Sequence, residues 1–277
     1  MAMQDNPPFR SYIMNCVRED ADLPAAYRWL YKYHVPDSIS KLRPYCDSYA
    51  TYRALPVPPG GEDYGAYNWI MTEHHWRYDP SVYWGPEGRV NAFQEVFDQE
   101  FLTITNQPPA GSLRDNAWQG SRDGYHPIVY AAAPLFWEKD FKGAGRTIED
   151  GPNFRWLIVL KYPQGVSREE GDRWFLEELG PALAALPQVN RFVTSAARPD
   201  SPFIKGTWHR VAELWFDSSR EWRQAIVDNA ASFPKPDWAV YDRFPYLEPY
   251  ADFTSIFLLD RPESDHFNQY RGYIPTR

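Results

Sequence analysis

The chain has 277 residues, and Lys plus Arg (29) against Asp plus Glu (37) leaves a formal net charge of −8. That balance offers no basic stripe for tracking nucleic-acid phosphates, there is no run of roughly 18 apolar residues for crossing a membrane, and the opening MAMQDNPPFR lacks the apolar segment of a secretory signal. Two cysteines, Cys16 and Cys46, are too few for a disulfide framework or a thiolate zinc site, so a reduced, cytoplasmic setting is expected.

The first element is an apolar, strand-forming run, SYIMNCV (11–17), followed by a helix start at Asp22 and Pro24. The helix motif RWLYKYHVP (28–36) carries the stripe Tyr27, Leu30, Tyr31 and His34, spaced i, i+3, i+4, i+7. A second strand is expected over DSYATYRAL (47–55), a third over YNWIMTEHHW (67–76) and a second helix over GRVNAFQEVFDQEFL (88–102). The polar stretch 103–125 is an expected excursion, before a last strand in HPIVYAAAPLF (126–136) and a link over 137–154.

The same order then recurs. A strand in RWLIVLKY (155–162) precedes the capping pair Ser167 and Glu170. The helix motif RWFLEELGP (173–181) sits at a constant offset of 145 from its twin. Strands at 189–197 and 208–216, a helix at 219–233 and a strand at 252–260 complete the copy, and the tail 261–277 is expected to wrap the surface or a partner. The order β-α-β-β-α-β, twice, predicts an α+β fold of tandem ferredoxin-like units, 1–145 and 146–277. Each unit leaves one apolar sheet face uncovered, so the two sheets are expected to pair into an α+β barrel.

Trp29, His34 and Pro36 form a W-x(4)-H-x-P motif. With DRWFLEELGPALAALPQVNRF and VAELWFDS, it resembles the EthD-like branch of the dimeric α+β barrel proteins. The resemblance covers both halves. It implies an activity among cofactor-free isomerases, cyclases, dehydratases, decarboxylases and anthrone-type oxygenases, often on aromatic or polyketide-like substrates. It also implies a site between sheet and helices bearing a helix histidine, a position His34 occupies. Leu179 stands at the twin position, so the resemblance implies one competent site, in the first copy.

Imidazole suits proton transfer in both directions near neutral pH. Strand alternation puts Glu73 and His75 on one face and His74 on the other. The twin strand assigns Ala212, Leu214 and Phe216 to a face beneath helices, so Thr72, His74 and Trp76 share it, and Glu73 and His75 face the barrel interior. A pocket between helix and sheet would join His34 to His74; a pocket inside the barrel would join His75 to Glu73. Glu73 recurs as Glu213, which also fits a structural carboxylate tied to a backbone or arginine partner. Tyr33, Asn15, Tyr45, Tyr49 and Trp29 are candidate substrate contacts, with His126 at the edge of the long loop; His209 and His266 read as surface groups.

His74 and His75 point to opposite faces and cannot easily share an ion, and no H-x-x-x-H, G-x-G-x-x-G, P-loop or G-x-S-x-G motif is present, so no metal or cofactor is expected. Aromatic residues make up 17 % of the chain, which suits both a core or dimer interface and a pocket for a flat, apolar ligand. The expected function is a cofactor-independent lyase or isomerase for an aromatic small molecule, using His34 with His74 or His75 and Glu73. A cofactor-free oxygenase of a phenol and a non-catalytic binding protein are the rivals, and a homodimer is open.

Overall fold

The computed structural model describes residues 8–17, 21, 23–43, 45–77, 128–151, 153–198 and 208–271. The expected helix 88–102, the excursion 103–125 and His126 lie outside the described residues, as do the side chains of Trp29 and Tyr33.

Two antiparallel four-stranded units with one topology make the core. In the first, β1 (Phe9–Asn15), β2 (Cys46–Arg53), β4 (Ile70–Trp76) and β5 (Ile128–Pro134) lie in the order β2-β4-β1-β5. In the second, β7 (Phe154–Leu160), β8 (Arg191–Ala196), β9 (Arg210–Phe216) and β10 (Phe253–Leu259) lie in the order β10-β7-β9-β8. Read from the other edge, these are the same sheet, as a duplicated ferredoxin-like unit requires. β1 and β7 are buried along their whole length because each is covered on both faces. One face of each sheet packs on the other sheet, through Tyr12, Met14, Met71 and Ala131 against Leu157, Val159, Val211 and Ile256. The opposite face of each carries its own helix.

The helices share an irregularity. In the first unit α1 (Leu23–Trp29) passes through a π-helical segment, Leu30–His34, into α2 (Val35–Leu42). In the second, α3 (Arg168–Arg173) passes through Trp174–Leu179 into α4 (Gly180–Ala184). Each π segment ends just before a proline, Pro36 or Pro181, at the offset of 145. Proline has no N–H to return and its ring crowds the carbonyl one turn back. A wider turn absorbs that misfit, and the Gly180 N–H bonds Phe175 O, five residues earlier. Ser167 caps α3, its Oγ accepting from the Glu170 N–H at 3.1 Å.

Several boundaries differ from the sequence pattern. The run 67–76 is two strands. β3 (Ala66–Tyr67) leaves the first sheet and pairs parallel with β10 in the second. The break falls at Asn68, whose side chain accepts from the Val17 N–H at 3.0 Å and donates to Val17 O at 3.1 Å. The link 137–154 contains β6 (Lys139–Lys142), which pairs with β8. The helix expected over 219–233 is α5 (Ser219–Ile226) plus a 3-10 turn, Ala230–Ser232. The tail crosses to the first unit, where β11 (Ser264–Asp265) pairs with β2 and α6 (His266–Arg271) follows. The halves therefore exchange strands: β3 extends the second sheet and β11 the first. Among the described residues no helix is long and apolar enough to cross a membrane.

Candidate active site

The alternation of β4 splits the sequence candidates into two groups on opposite sides of the first sheet. Glu73 and His75 face the second sheet; His74 faces the helix.

Between the sheets, Glu73 accepts from His75 Nε2 at 2.9 Å and lies 3.7 Å from Arg155. Arg155 also pairs closely with Glu213. Glu213 accepts from the Tyr12 hydroxyl at 3.0 Å and lies 3.8 Å from Arg10. Arg10 and Arg155 are twins at the offset of 145, and Glu73 and Glu213 are twins in register. Each glutamate faces the arginine of the other sheet, which is what a pseudo-twofold repeat produces. Burial alone would raise the Glu73 carboxyl, but the His75 hydrogen bond and the Arg155 and Arg10 charges hold it down to about 2. Burial drives Glu213 upward, against the same two arginines. His75 is the most open member, its side chain 38 % exposed at the rim. Both copies carry the network's arginine and glutamate pairs, which first of all fix how the sheets register, while His75 and Tyr12 stand where the second unit has Trp215 and Leu157.

The helix face of the first unit has no such twin. Ser11 on β1, Tyr49 and Thr51 on β2, His74 on β4 and Ser38 on α2 are all buried there. His34, half-buried, ends the π segment with Nε2 3.4 Å from Ser38 Oγ. Ser38 in turn stands near the Tyr49 hydroxyl, which is buried and makes no hydrogen bond among the described residues. The Tyr49 ring stacks on His74 at 4.6 Å. His74 Nδ1 lies 3.3 Å from Ser11 Oγ, which also accepts from Trp76 Nε1–H at 2.9 Å. The second unit places Trp156, Leu183, Phe192, Leu214 and Leu179 where the first has Ser11, Ser38, Tyr49, His74 and His34, all within its apolar core. Beside Ser11 the first unit has Ala132, where Trp156 has Phe257. The fold is therefore satisfied by hydrocarbon at each of these positions. Buried polar groups there cost desolvation, about 1–3 kcal/mol for each one left unpaired.

His266, expected at the surface, is in this layer. It is 2 % exposed because the tail carries it inward, with Nε2 2.8 Å from Thr51 Oγ1 and its ring 4.6 Å from Tyr49. No signal along the sequence marked it, since its neighbours belong to the other half. His209 is also less open than expected: it is half-buried and its Nδ1 accepts from the Tyr162 N–H at 2.8 Å. Asn15 is buried on the helix face, its Nδ2 donating to Ile13 O at 3.4 Å while Oδ1 has no partner among the described residues. Tyr45, half-buried, packs at the edge of the same cluster. Among the described residues no group of three or more His, Cys, Asp or Glu side chains is arranged to hold a metal ion.

Burial, and then the imidazoles of His34, His266 and His75, push His74 down to about 3. Burial pushes His266 down to about 4, against Asp265 and Glu263. Both are neutral in the folded protein at physiological pH, and burial raises the Tyr49 phenol well above its usual range. The two histidines bind fewer protons folded than unfolded. Stability should therefore fall as pH drops below about 6.5, by about 1.4 kcal/mol per pH unit for each imidazole. The fall should continue until their folded pKa values are reached. Denaturant melts between pH 7 and 4.5 check this, and His74→Gln is expected to flatten the slope.

Comparisons with known proteins bear on both fold and site. A family model described as the chalcone isomerase N-terminal domain matches residues 6–110. No curated protein matches the chain. Among solved structures, an anthrone oxidase-like protein superposes with a TM-score of 0.52 at 12 % identity, covering 93 % of this chain and 92 % of that one. A chlorite dismutase from Candidatus Nitrospira defluvii gives 0.41 at 10 % identity, over 92 % and 91 %. An ethyl tert-butyl ether D (EthD) family protein from Bacillus halodurans gives 0.27 at 12 % identity, over 38 % of this chain and 95 % of its own. The chain has the ferredoxin-like α+β barrel fold.

Proposed function

We propose that the first unit is an isomerase site for an aromatic enone of the chalcone type, working by proton transfer without a cofactor. The observation that carries this reading is the replacement of five apolar positions of the second unit by Ser11, His34, Ser38, Tyr49 and His74 in the first. A costly polar layer that the scaffold does not require is what a reaction centre leaves in a sequence. The family-model match over 6–110 spans all five residues and supplies the substrate class.

His34 is the acid/base, being the half-buried imidazole of the layer, held at the end of the π segment against Ser38. In the forward direction it takes the proton of a substrate phenol. The phenolate oxygen then adds to the β-carbon of the enone: a C–O bond forms, the C=C π pair moves to the α-carbon and carbonyl, and the protonated His34 returns its proton to the α-carbon. No electron or proton is gained overall. His74, neutral and buried, and Tyr49, a phenol throughout, keep the surrounding hydrogen-bond donors fixed, which is how charge on an enolate is stabilised without a metal. Asn15 and Tyr45 are assigned to substrate contact, and Glu73 with His75 to the inter-sheet network rather than to His34.

The test is to incubate the purified chain with a 2′-hydroxychalcone and follow its absorbance and oxygen uptake. Isomerisation to the ring-closed product without oxygen consumption supports the reading. Turnover that consumes oxygen replaces it with a phenol oxygenase, and ligand binding without turnover replaces it with a carrier.

A further inference from the structure

The tail that returns from the second unit enters the first unit's polar layer and is held there by several contacts. The Glu263 N–H donates to Thr51 O at 2.8 Å, and β11 continues the pairing through Ser264 opposite Thr51 and Asp265 opposite Ala50. The Glu263 carboxylate accepts from the Tyr31 hydroxyl at 2.9 Å and pairs closely with Arg53, tying the strap to the π segment and to β2 at once. Phe267 is buried with its ring edge-on to Tyr49 at 6.0 Å. These anchors fix one residue between them, His266. The reciprocal strap has a different cargo: just before β3, Tyr64 packs on Trp156 and Trp222 in the apolar layer of the second unit. One strap supplies hydrocarbon to a structural core, and the other supplies imidazole to the polar layer.

We infer that His266 is a positioning residue of the first unit's site: with His74 it packs on the Tyr49 ring and so sets where that ring stands beside the Ser38–His34 pair. The geometry behind this is the pair of 4.6 Å ring contacts that Tyr49 makes, with His74 at 25° and His266 at 57°. The Thr51 hydroxyl fixes the His266 ring at 2.8 Å. The inference rests on the proposed role of His34.

The experiment compares His266→Leu, Thr51→Val, the double variant and His266→Gln in the full chain, each by kcat and KM with the hydroxychalcone. The ring-proton NMR resonances of His34 and His74 are recorded without substrate. His266→Leu is expected to lower kcat about tenfold or more with KM changed less than about threefold. Thr51→Val, which removes one hydroxyl and little volume, should give a comparable drop. The double variant should add nothing further, since both act on one contact, and His266→Gln should recover most of the rate. In His266→Leu and Thr51→Val alike, the His34 and His74 resonances should be displaced. A kcat within twofold of the parent in folded Thr51→Val and His266→Leu overturns the inference, as does a lowered melting temperature with unmoved resonances. If His266→Leu does not fold, Thr51→Val decides alone. If the parent shows no turnover at all, the isomerase reading fails separately, and the resonances then decide the positional role: displaced, it stands; unmoved, it falls.

Discussion

Changing His34 to alanine is expected to lower kcat for chalcone isomerisation by about 10²–10⁴, the usual worth of a positioned general acid–base group. The fold should survive, because the side chain is only half-buried and its contact with Ser38 Oγ, at 3.4 Å, is long. KM should move little, since the imidazole acts on a proton rather than on the bulk of the substrate. The second unit provides the control. Leu179 occupies the twin position at the end of the same π turn, so Leu179→Ala should lower the melting temperature and leave kcat in place. A His34→Ala protein with undiminished kcat would remove His34 from the mechanism.

Arg155→Met is expected to destabilise the protein by about 3–5 kcal/mol at neutral pH, the typical result of leaving a buried charge without its partner. Arg155 is 4 % exposed and stands between Glu213 and Glu73. Removing its charge leaves Glu213 facing Arg10 at 3.8 Å and Glu73 dependent mainly on His75. The pH dependence has a definite sign. In the parent, Glu73 is held down to about 2, so its contribution is complete above about pH 4.5 and is lost as pH falls toward 2. Without Arg155 the carboxylates take up protons at higher pH, so the variant's deficit should shrink between pH 7.5 and 5. Urea unfolding at the two pH values measures this; a loss under about 1 kcal/mol at pH 7.5 would mean that the network contributes little to stability.

The repeat was readable because a duplicated chain tests itself: the offset of 145 links Trp29 to Trp174 and Pro36 to Pro181 without any coordinates, and the structure extends it to Arg10 with Arg155 and Ser11 with Trp156. The faces of β4 were readable for the same reason, since Leu214 and Glu213 tell which side of the twin strand packs under a helix. What the pattern hid depends on contacts between halves. The apolar run through Tyr67, Trp69 and Met71 looks continuous, but it breaks at Asn68, which clamps Val17, into two strands in two sheets. His266 follows Glu263, Ser264 and Asp265, a polar context that reads as solvent-facing. It is drawn inside by pairing with β2, more than 200 residues earlier in the chain. The π turns were hidden too, because Trp29-x(4)-His34-x-Pro36 has the spacing of an ordinary helix until the missing proline N–H is counted.

The reciprocal strand exchange makes the duplicated halves interdependent, although each contains a complete four-stranded unit. A fragment cut near residue 145 would leave the outer rim of β2 without β11, and its counterpart would leave β10 without β3. Each would then present a bare hydrogen-bonding rim, the kind of surface along which chains self-associate. Co-expressed, the same fragments would each carry the strip that covers the other. An ancestral fusion would thereby be locked in, since later loss of either half would undo the folding of the one that remained.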